Sequence, residues 1–145
     1  MRFFLFLWLT IVVCLSACAD KPLTKESPQA RMPLGVGFVI FDIRCDEVKQ
    51  NIIPRVLQDI GFNFVWTEEQ WLVVGPIIEE SQPGSSYLRI KQTYYLQIVC
   101  DDEITSHIKG EVVLVGLNSV GDWIAITDVP TIEKYGIQFL QRLRL

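Results

Sequence analysis

The pattern of apolar and polar residues beyond residue 34 predicts a strand followed by a helix. Residues 35–45 form an apolar run that settles into alternation, which is typical of a strand and places Cys45 toward the core at the strand's end. Residues 46–60 carry apolar side chains at four-residue spacing and predict an amphipathic helix. Pro54 lacks an amide hydrogen, so we expect this helix to be kinked or divided there.

The rest of the chain predicts strands joined by turns, and then a last helix. The predicted strands cover residues 62–66, 71–78, 87–100, 104–117 and 123–127, and the last helix begins near Asp128 or Thr131. Consecutive hairpins imply an antiparallel sheet, and two amphipathic helices need one face of it to cover. We therefore predict an α+β fold of the order β-α-β-β-β-β-β-α, with about five or six strands and two helices on one face.

An apolar segment at the start of the chain predicts export. After Arg2 come about a dozen mostly apolar residues, the length of a secretory signal and shorter than the roughly 20 residues of a membrane span. The sequence Leu15-Ser16-Ala17-Cys18 follows directly and resembles the lipobox of bacterial lipoproteins. The resemblance implies that residues 1–17 are a signal peptide, which contains Cys14, and that Cys18 carries a lipid. An uncleaved anchor and ordinary secretion are the alternatives.

The stretch from residue 18 to residue 33 predicts a lipidated, flexible tether. It contains three prolines and several charges but almost no large apolar side chains, so it lacks the surface needed to fold alone. A single α+β domain is then expected over residues 34–145. Within the lipoprotein family, Ala19 rather than an aspartate directly after Cys18 favours the outer membrane. The predicted location is the periplasmic side of the cell envelope.

Charge limits the partners of this domain. Only Arg2 among the charged residues lies in the leader, so cleavage changes the net charge from −4 to near −5. An acidic chain without a basic stripe is a poor ligand for nucleic acid, and no nucleic-acid partner is predicted. Attachment to the membrane is therefore expected to come from the N-terminal lipid.

Two cysteines remain for the folded domain. Cys45 and Cys100 are each expected at a strand end on the core side, and thiols of small periplasmic domains commonly pair. We predict a disulfide between them, with two buried free thiols as the alternative. The one histidine, His107, lies on a polar strand face and no Cys-x-x-Cys pair is present, so no metal site and no cofactor are predicted.

Few residues point to catalysis. The chain lacks a Gly-x-Ser-x-Gly elbow, and its paired acids at 68–69, 79–80 and 101–103 lie in predicted turns, where they mainly solubilise the protein. We therefore predict a protein that is not an enzyme, and keep a hydrolase of unknown type as a minor alternative.

Two non-enzymatic functions remain. The first is an accessory or assembly subunit of a cell-envelope complex, with Trp66, Trp71 and Trp123 as partner contacts because aromatic residues dominate interface hot spots. Tyr87, Tyr94 and Tyr95 could serve in the same way. The second is a carrier of a lipid or another apolar ligand in a cavity beneath the helices.

The predicted element order resembles helix-grip or TBP-like domains. Residues 56–65, with the pattern Val-Leu-x-x-Ile-Gly-Phe-x-Phe-Val, also resemble the helix-to-strand segment of small envelope lipoproteins, such as the accessory lipoprotein of the β-barrel assembly machinery. The resemblance implies a layered α+β domain and carries no catalytic residue.

Overall fold

The computed structural model of the chain describes residues 31–35, 37–40 and 42–143. Within this part of the chain, an antiparallel sheet of seven strands is combined with two helices, which confirms the predicted α+β class. The strands are β1 (Met32–Pro33), β2 (Phe38–Ile40), β3 (Phe64–Trp66), β4 (Leu72–Glu80), β5 (Arg89–Cys100), β6 (Ser106–Leu117) and β7 (Trp123–Ile126). The helices are α1 (residues 45–59) and α2 (Val129–Leu143). The predicted signal peptide, Cys14 and Cys18 lie outside the described residues.

Two long strands form the centre of the sheet. β5 and β6 are each 12 residues long and pair over their whole length. β4 pairs with the other side of β5, and the three-residue β3 pairs with β4 at one edge. The far side of β6 carries β2, β1 and β7 in a row along its length. The sheet is therefore open, with short strands at both of its edges.

The first helix is divided as its proline predicts. It consists of Cys45–Glu47, a π-helical segment Val48–Ile52, and Ile53–Asp59. Pro54 lies in the first turn of the third piece, where its missing amide hydrogen disrupts the hydrogen bonding least. The π-helical turn just before this piece is wider than an α-helical turn and accommodates the change in the hydrogen-bonding pattern of the helix.

The beginning of the domain differs from the prediction in two respects. The strand expected over residues 35–45 ends at Ile40, and Cys45 is the first residue of α1. Asp42 has a φ of 61°, a left-handed conformation that is incompatible with a continuing strand. In addition, Met32–Pro33, which fall within the predicted tether, pair with β6 as β1.

The helices cover one face of the sheet, called here the inner face. Alternate residues of β5 are buried against them, and Tyr94 is completely buried. Its ring stacks on that of Phe139 from α2, with centroids 3.8 Å apart and planes 11° apart. The other large, fully buried side chains are Leu34, Ile53, Leu57, Leu72, Leu96, Ile132 and Leu143. The inner face therefore carries the hydrophobic core.

A bulge in β4 changes which of its residues face the core. The register between β4 and β5 shifts between Val74 and Ile77, so β4 contains one extra residue at Gly75 and Pro76. Gly75 has a φ of 114°, and a Cβ there would lie 2.7 Å from the Gln92 carbonyl oxygen, which explains the glycine. After the bulge, the residues of β4 again alternate between the two faces, but each lies on the face opposite to the one that a regular strand would give it.

The shifted phase places one carboxylate on each side of the sheet. Glu79 is opposite Ile90 and lies on the inner side, whereas Glu80 is opposite Arg89 on the other side. The Glu80 Oε1 accepts a hydrogen bond of 2.8 Å from the Arg89 Nε. A regular strand would have reversed these two positions.

A candidate interaction surface on the uncovered sheet face

The second face of the sheet, called here the outer face, carries no helix among the described residues. Its side chains come from the strand positions that alternate with the core residues, together with Arg31 before β1. Several of its apolar side chains are exposed, including Val65 at 63% and Ile78 at 55%. The outer face consists of Arg31, Pro33, Val39, Val65, Trp71, Val73, Ile78, Glu80, Arg89, Lys91, Thr93, Tyr95, Gln97, Val99, His107, Lys109, Glu111, Val113, Val115, Leu117, Trp123 and Ala125.

One cluster of this face is formed by a cation and two aromatic rings. The Arg31 guanidinium carbon lies 3.9 Å from the centroid of the Tyr95 ring and 6.0 Å from that of Trp71. Such stacking stabilises an exposed pair by about 0.5–1 kcal/mol. The same guanidinium is 3.9 Å from a carboxylate oxygen of Glu111. Arg31 is therefore held flat against the sheet.

A second cluster lies toward the other end of β5. The Lys91 Nζ is 5.4 Å from the centroid of the Trp123 ring, which is 41% exposed. Tyr95 and Lys91 are four residues apart on β5, which corresponds to about 14 Å along the strand. Thr93 lies between the two clusters. The outer face thus presents two separate aromatic and cationic patches.

Two valines of the central strand β6 are buried on the outer face. Val115 is 1% exposed and Val113 is 9% exposed, although both point away from the helices. Val115 is flanked by Lys91 on one side and by Ala125 on the other. The middle of the outer face is therefore a packed apolar layer rather than a row of solvated residues.

A histidine and an aspartate form a hydrogen-bonded pair at one end of the outer face. His107 Nδ1 and Asp101 Oδ2 are 2.8 Å apart, and the two side chains are partly exposed. Among the described residues, no group of three or more His, Cys, Asp or Glu is arranged to hold a metal ion.

The structure places the tryptophans that were predicted as partner contacts on different sides of the sheet. Trp71 and Trp123 both lie on the outer face, at opposite ends of it. Trp66 is opposite the core residue Leu72 and so lies on the inner side at the open edge, 42% exposed. The three tryptophans therefore do not form one surface.

The tyrosines are divided in the same way. Tyr94 is part of the core and is unavailable as a partner contact, whereas Tyr95 is stacked under Arg31 on the outer face. Neighbouring strand residues point to opposite faces, so the alternation of β5 could have separated the two. Tyr87 packs over Gly116, where a Cβ would collide with its ring. Arg31 and Lys91 carried no distinguishing signal in the sequence.

A polar cleft of about 730 Å³ lies on the inner side between α2 and the end of β4. Behind it, the Tyr94 hydroxyl donates to Gln92 Oε1 at 2.6 Å, and Gln92 Nε2 donates to Glu79 Oε2 at 3.0 Å. Arg142 Nη1 donates to Glu79 Oε1 at 2.6 Å. Burial raises the pKa of the Tyr94 phenol, and the neighbouring Glu79 carboxylate raises it further. These hydrogen bonds join the core to α2.

Cys45 and Cys100 form a disulfide, with Cα atoms 5.7 Å apart. Cys45 is buried at the start of α1, while Cys100 ends β5 and is exposed. The Cys45 amide also donates to the Glu103 carbonyl at 3.1 Å. The bridge therefore attaches the beginning of the helix layer to the end of the central strand.

Two comparisons with known proteins found no match for this chain. No protein-family model matches it, and no curated protein matches it either. Among the described residues, no helix has the length and apolar character needed to cross a membrane.

Proposed function

We propose that this chain is a membrane-tethered periplasmic lipoprotein that acts as an accessory or assembly subunit of a cell-envelope complex. In this proposal Cys18 carries the lipid, and the outer face of the sheet contacts the protein partner. The proposed role is non-catalytic and needs no cofactor. The proposed location is the periplasmic side of the outer membrane.

The observation that carries the proposal is the outer face, on which no helix lies among the described residues. Exposed aromatic and aliphatic side chains beside an open strand edge are features of protein-interaction sites. Trp71, Tyr95 and Trp123 are of the residue types that dominate interface hot spots. Tyr95 lies on the long central strand β5, and Trp123 lies on β7, which pairs with the other central strand, β6. A paired backbone of this kind keeps the surface rigid and so lowers the entropic cost of binding.

The carrier function has less support from the inner face. Tyr94 and Phe139 stack at 3.8 Å where a ligand cavity between helices and sheet would have to open. The cleft of about 730 Å³ beside α2 is lined mainly by polar and charged side chains, including Glu79 and Arg142, whereas sites for apolar ligands are predominantly hydrophobic. We therefore favour the subunit function.

Site-specific photocrosslinking in cells tests the partner face. A photoreactive phenylalanine derivative placed at Trp71 or Trp123 of the full chain should give a discrete protein adduct. The same group at Gln58, an exposed position on α1, is the matched control and should give little adduct. Equal adducts at all positions, or none at any, would contradict the proposed contact face.

Acyl labelling tests the anchor. Cys18→Ala should abolish incorporation of a labelled fatty acid and release the chain from the membrane fraction, because the proposed lipid is attached to that sulfur. Cys14→Ala is the matched control, since Cys14 lies in the proposed leader four residues earlier, and it should retain full labelling. Labelling that persists in Cys18→Ala would rule out the lipid attachment at this residue.

A further inference from the structure

The outer face differs in charge from the rest of the chain. Four of the 13 basic residues lie on it, against three of the 17 acidic ones when Asp101, the partner of His107 at its end, is included. The basic residues are Arg31, Arg89, Lys91 and Lys109, and the acidic residues are Glu80, Asp101 and Glu111. The outer face therefore carries a net charge of +1, although the whole chain carries −4.

The structure holds two of these cations in fixed positions among apolar residues. Arg31 lies over Tyr95, and Lys91 lies beside Trp123. Lys109 is exposed, and its side chain makes no hydrogen bond or ion pair with the other described residues. A cation next to a partly dehydrated aromatic surface interacts more strongly with an incoming carboxylate than a fully solvated cation does.

We infer that the partner bound by the outer face is a protein surface that combines apolar side chains with an excess of aspartate and glutamate. Complementary charge selects such a partner, because an acidic surface is attracted to the outer face and repelled by the remaining acidic surface of the domain. This inference rests on the proposed subunit function and specifies the chemistry of its partner.

An anionic membrane fits the same face less well. Recognition of anionic headgroups usually involves clusters of about 4–8 lysines and arginines without interspersed acids. Here Arg89 is paired with Glu80 at 2.8 Å and Arg31 is 3.9 Å from Glu111. A face on which carboxylates lie beside the cations fits a protein surface of mixed charge better than a uniformly anionic membrane.

Charge reversal combined with photocrosslinking tests the inference. The full chain carries the photoreactive group at Trp123, and Lys109 is changed to Gln or to Glu. We expect the yield of the protein adduct to fall with Lys109→Gln and to fall by about tenfold or more with Lys109→Glu. Arg55→Glu, an exposed reversal on α1, is the matched control and should change the yield less than twofold. An unchanged urea midpoint for each variant verifies folding.

Mass spectrometry of the crosslinked peptide gives a second, independent measurement. We expect a segment of another protein with more Asp and Glu than Lys and Arg. A full yield with Lys109→Glu, or a basic crosslinked segment, would overturn the acidic-partner inference and leave the subunit proposal intact. An adduct to phospholipid or to a second copy of this chain would also overturn it. The absence of any adduct at Trp71 and Trp123 would remove the subunit proposal as well.

Discussion

The two faces of the sheet use the same strands for different purposes. On the inner face, Tyr94 and its neighbours pack against two helices and are completely buried. One residue further along, Tyr95 faces outward, is partly exposed and has the guanidinium of Arg31 over its ring. The comparison shows that one strand can supply both the core and an interaction surface, because its alternation assigns each residue to one face.

The largest expected difference between the faces is in their contribution to stability. Phe139→Ala should lower the free energy of unfolding by about 3–5 kcal/mol, since it leaves a cavity beside Tyr94. Tyr95→Ala should cost about 1 kcal/mol or less, because it removes one stacking contact from a partly exposed surface. Urea unfolding followed by tryptophan fluorescence measures both. Equal losses would mean that the outer face is a second core.

Removal of the disulfide should loosen the attachment of the helix layer to the inner face. The Cys45→Ala, Cys100→Ala double variant should lose up to about 4 kcal/mol, the chain-entropy value for a separation of 55 residues. Thermal or urea unfolding without reductant measures this loss, and wild-type protein treated with reductant should reproduce it. A loss below about 1 kcal/mol would show that packing alone holds α1 in place.

Tyr94 makes the inner face sensitive to alkaline pH. Its folded pKa is raised by burial above the ordinary value of 10, so the neutral phenol stabilises the fold below pH 10 and this contribution declines as pH rises further. Tyr94→Phe should cost about 1–2 kcal/mol at neutral pH, because Gln92 Oε1 loses its donor. The variant should then lose less stability than wild type between pH 10 and 11 in urea unfolding. If wild type and Tyr94→Phe lost the same stability between pH 10 and 11, the alkaline sensitivity would not arise from Tyr94.

The cap at the start of α2 should have a smaller effect on stability. Here the contribution is lost toward acidic pH, whereas that of Tyr94 is lost toward alkaline pH. Asp128 Oδ2 accepts from the Thr131 amide at 3.1 Å, and hydrogen bonding to Thr131 lowers the pKa of this carboxyl. Asp128→Ala should cost about 1 kcal/mol at neutral pH. Because the folded pKa is lowered, the advantage of wild type is present above pH 4 and disappears as pH falls below it.

Asp128→Asn is the matched control for this cap. Asparagine caps a helix about as well as aspartate but does not titrate, so its stability should equal that of wild type at neutral pH. As pH falls below 4, wild type should lose stability relative to this variant, because protonation removes the charge of Asp128. Circular dichroism during thermal unfolding measures both variants, and an Asn variant as unstable as Ala would exclude the capping function.

Hydrophobic periodicity was sufficient to predict most of the fold. The long strands β5 and β6 and the helix α2 were predicted within a few residues, because each has many periodic positions and clear turns at its ends. The strand before α1 was predicted too long, since residues 41–45 continue the apolar alternation although Asp42 adopts a left-handed conformation. Backbone geometry of this kind leaves little trace in a hydrophobic pattern.

The candidate surface could be predicted only in part. Trp71 and Trp123 were identified as exposed aromatics, but Trp66 was grouped with them although register places it on the other side of the sheet. Arg31 was assigned to the tether, and its stacking on Tyr95 depends on the pairing of β1 with β6. Contacts between residues more than 60 positions apart have no local signature in the sequence.

The sequence by itself determined the α+β class and the succession of the long strands and the last helix, since these follow from local periodicity. It favoured a disulfide between Cys45 and Cys100 with two free thiols as the alternative, and the structure joins the two sulfur atoms. The tertiary structure alone decided which side chains share a face. The bulge at Gly75 and Pro76 reverses the phase of β4, so Glu79 joins the inner side and Ile78 the outer face. Strand register and bulges are set by long-range packing, and for that reason the charged aromatic surface became visible only in the folded protein.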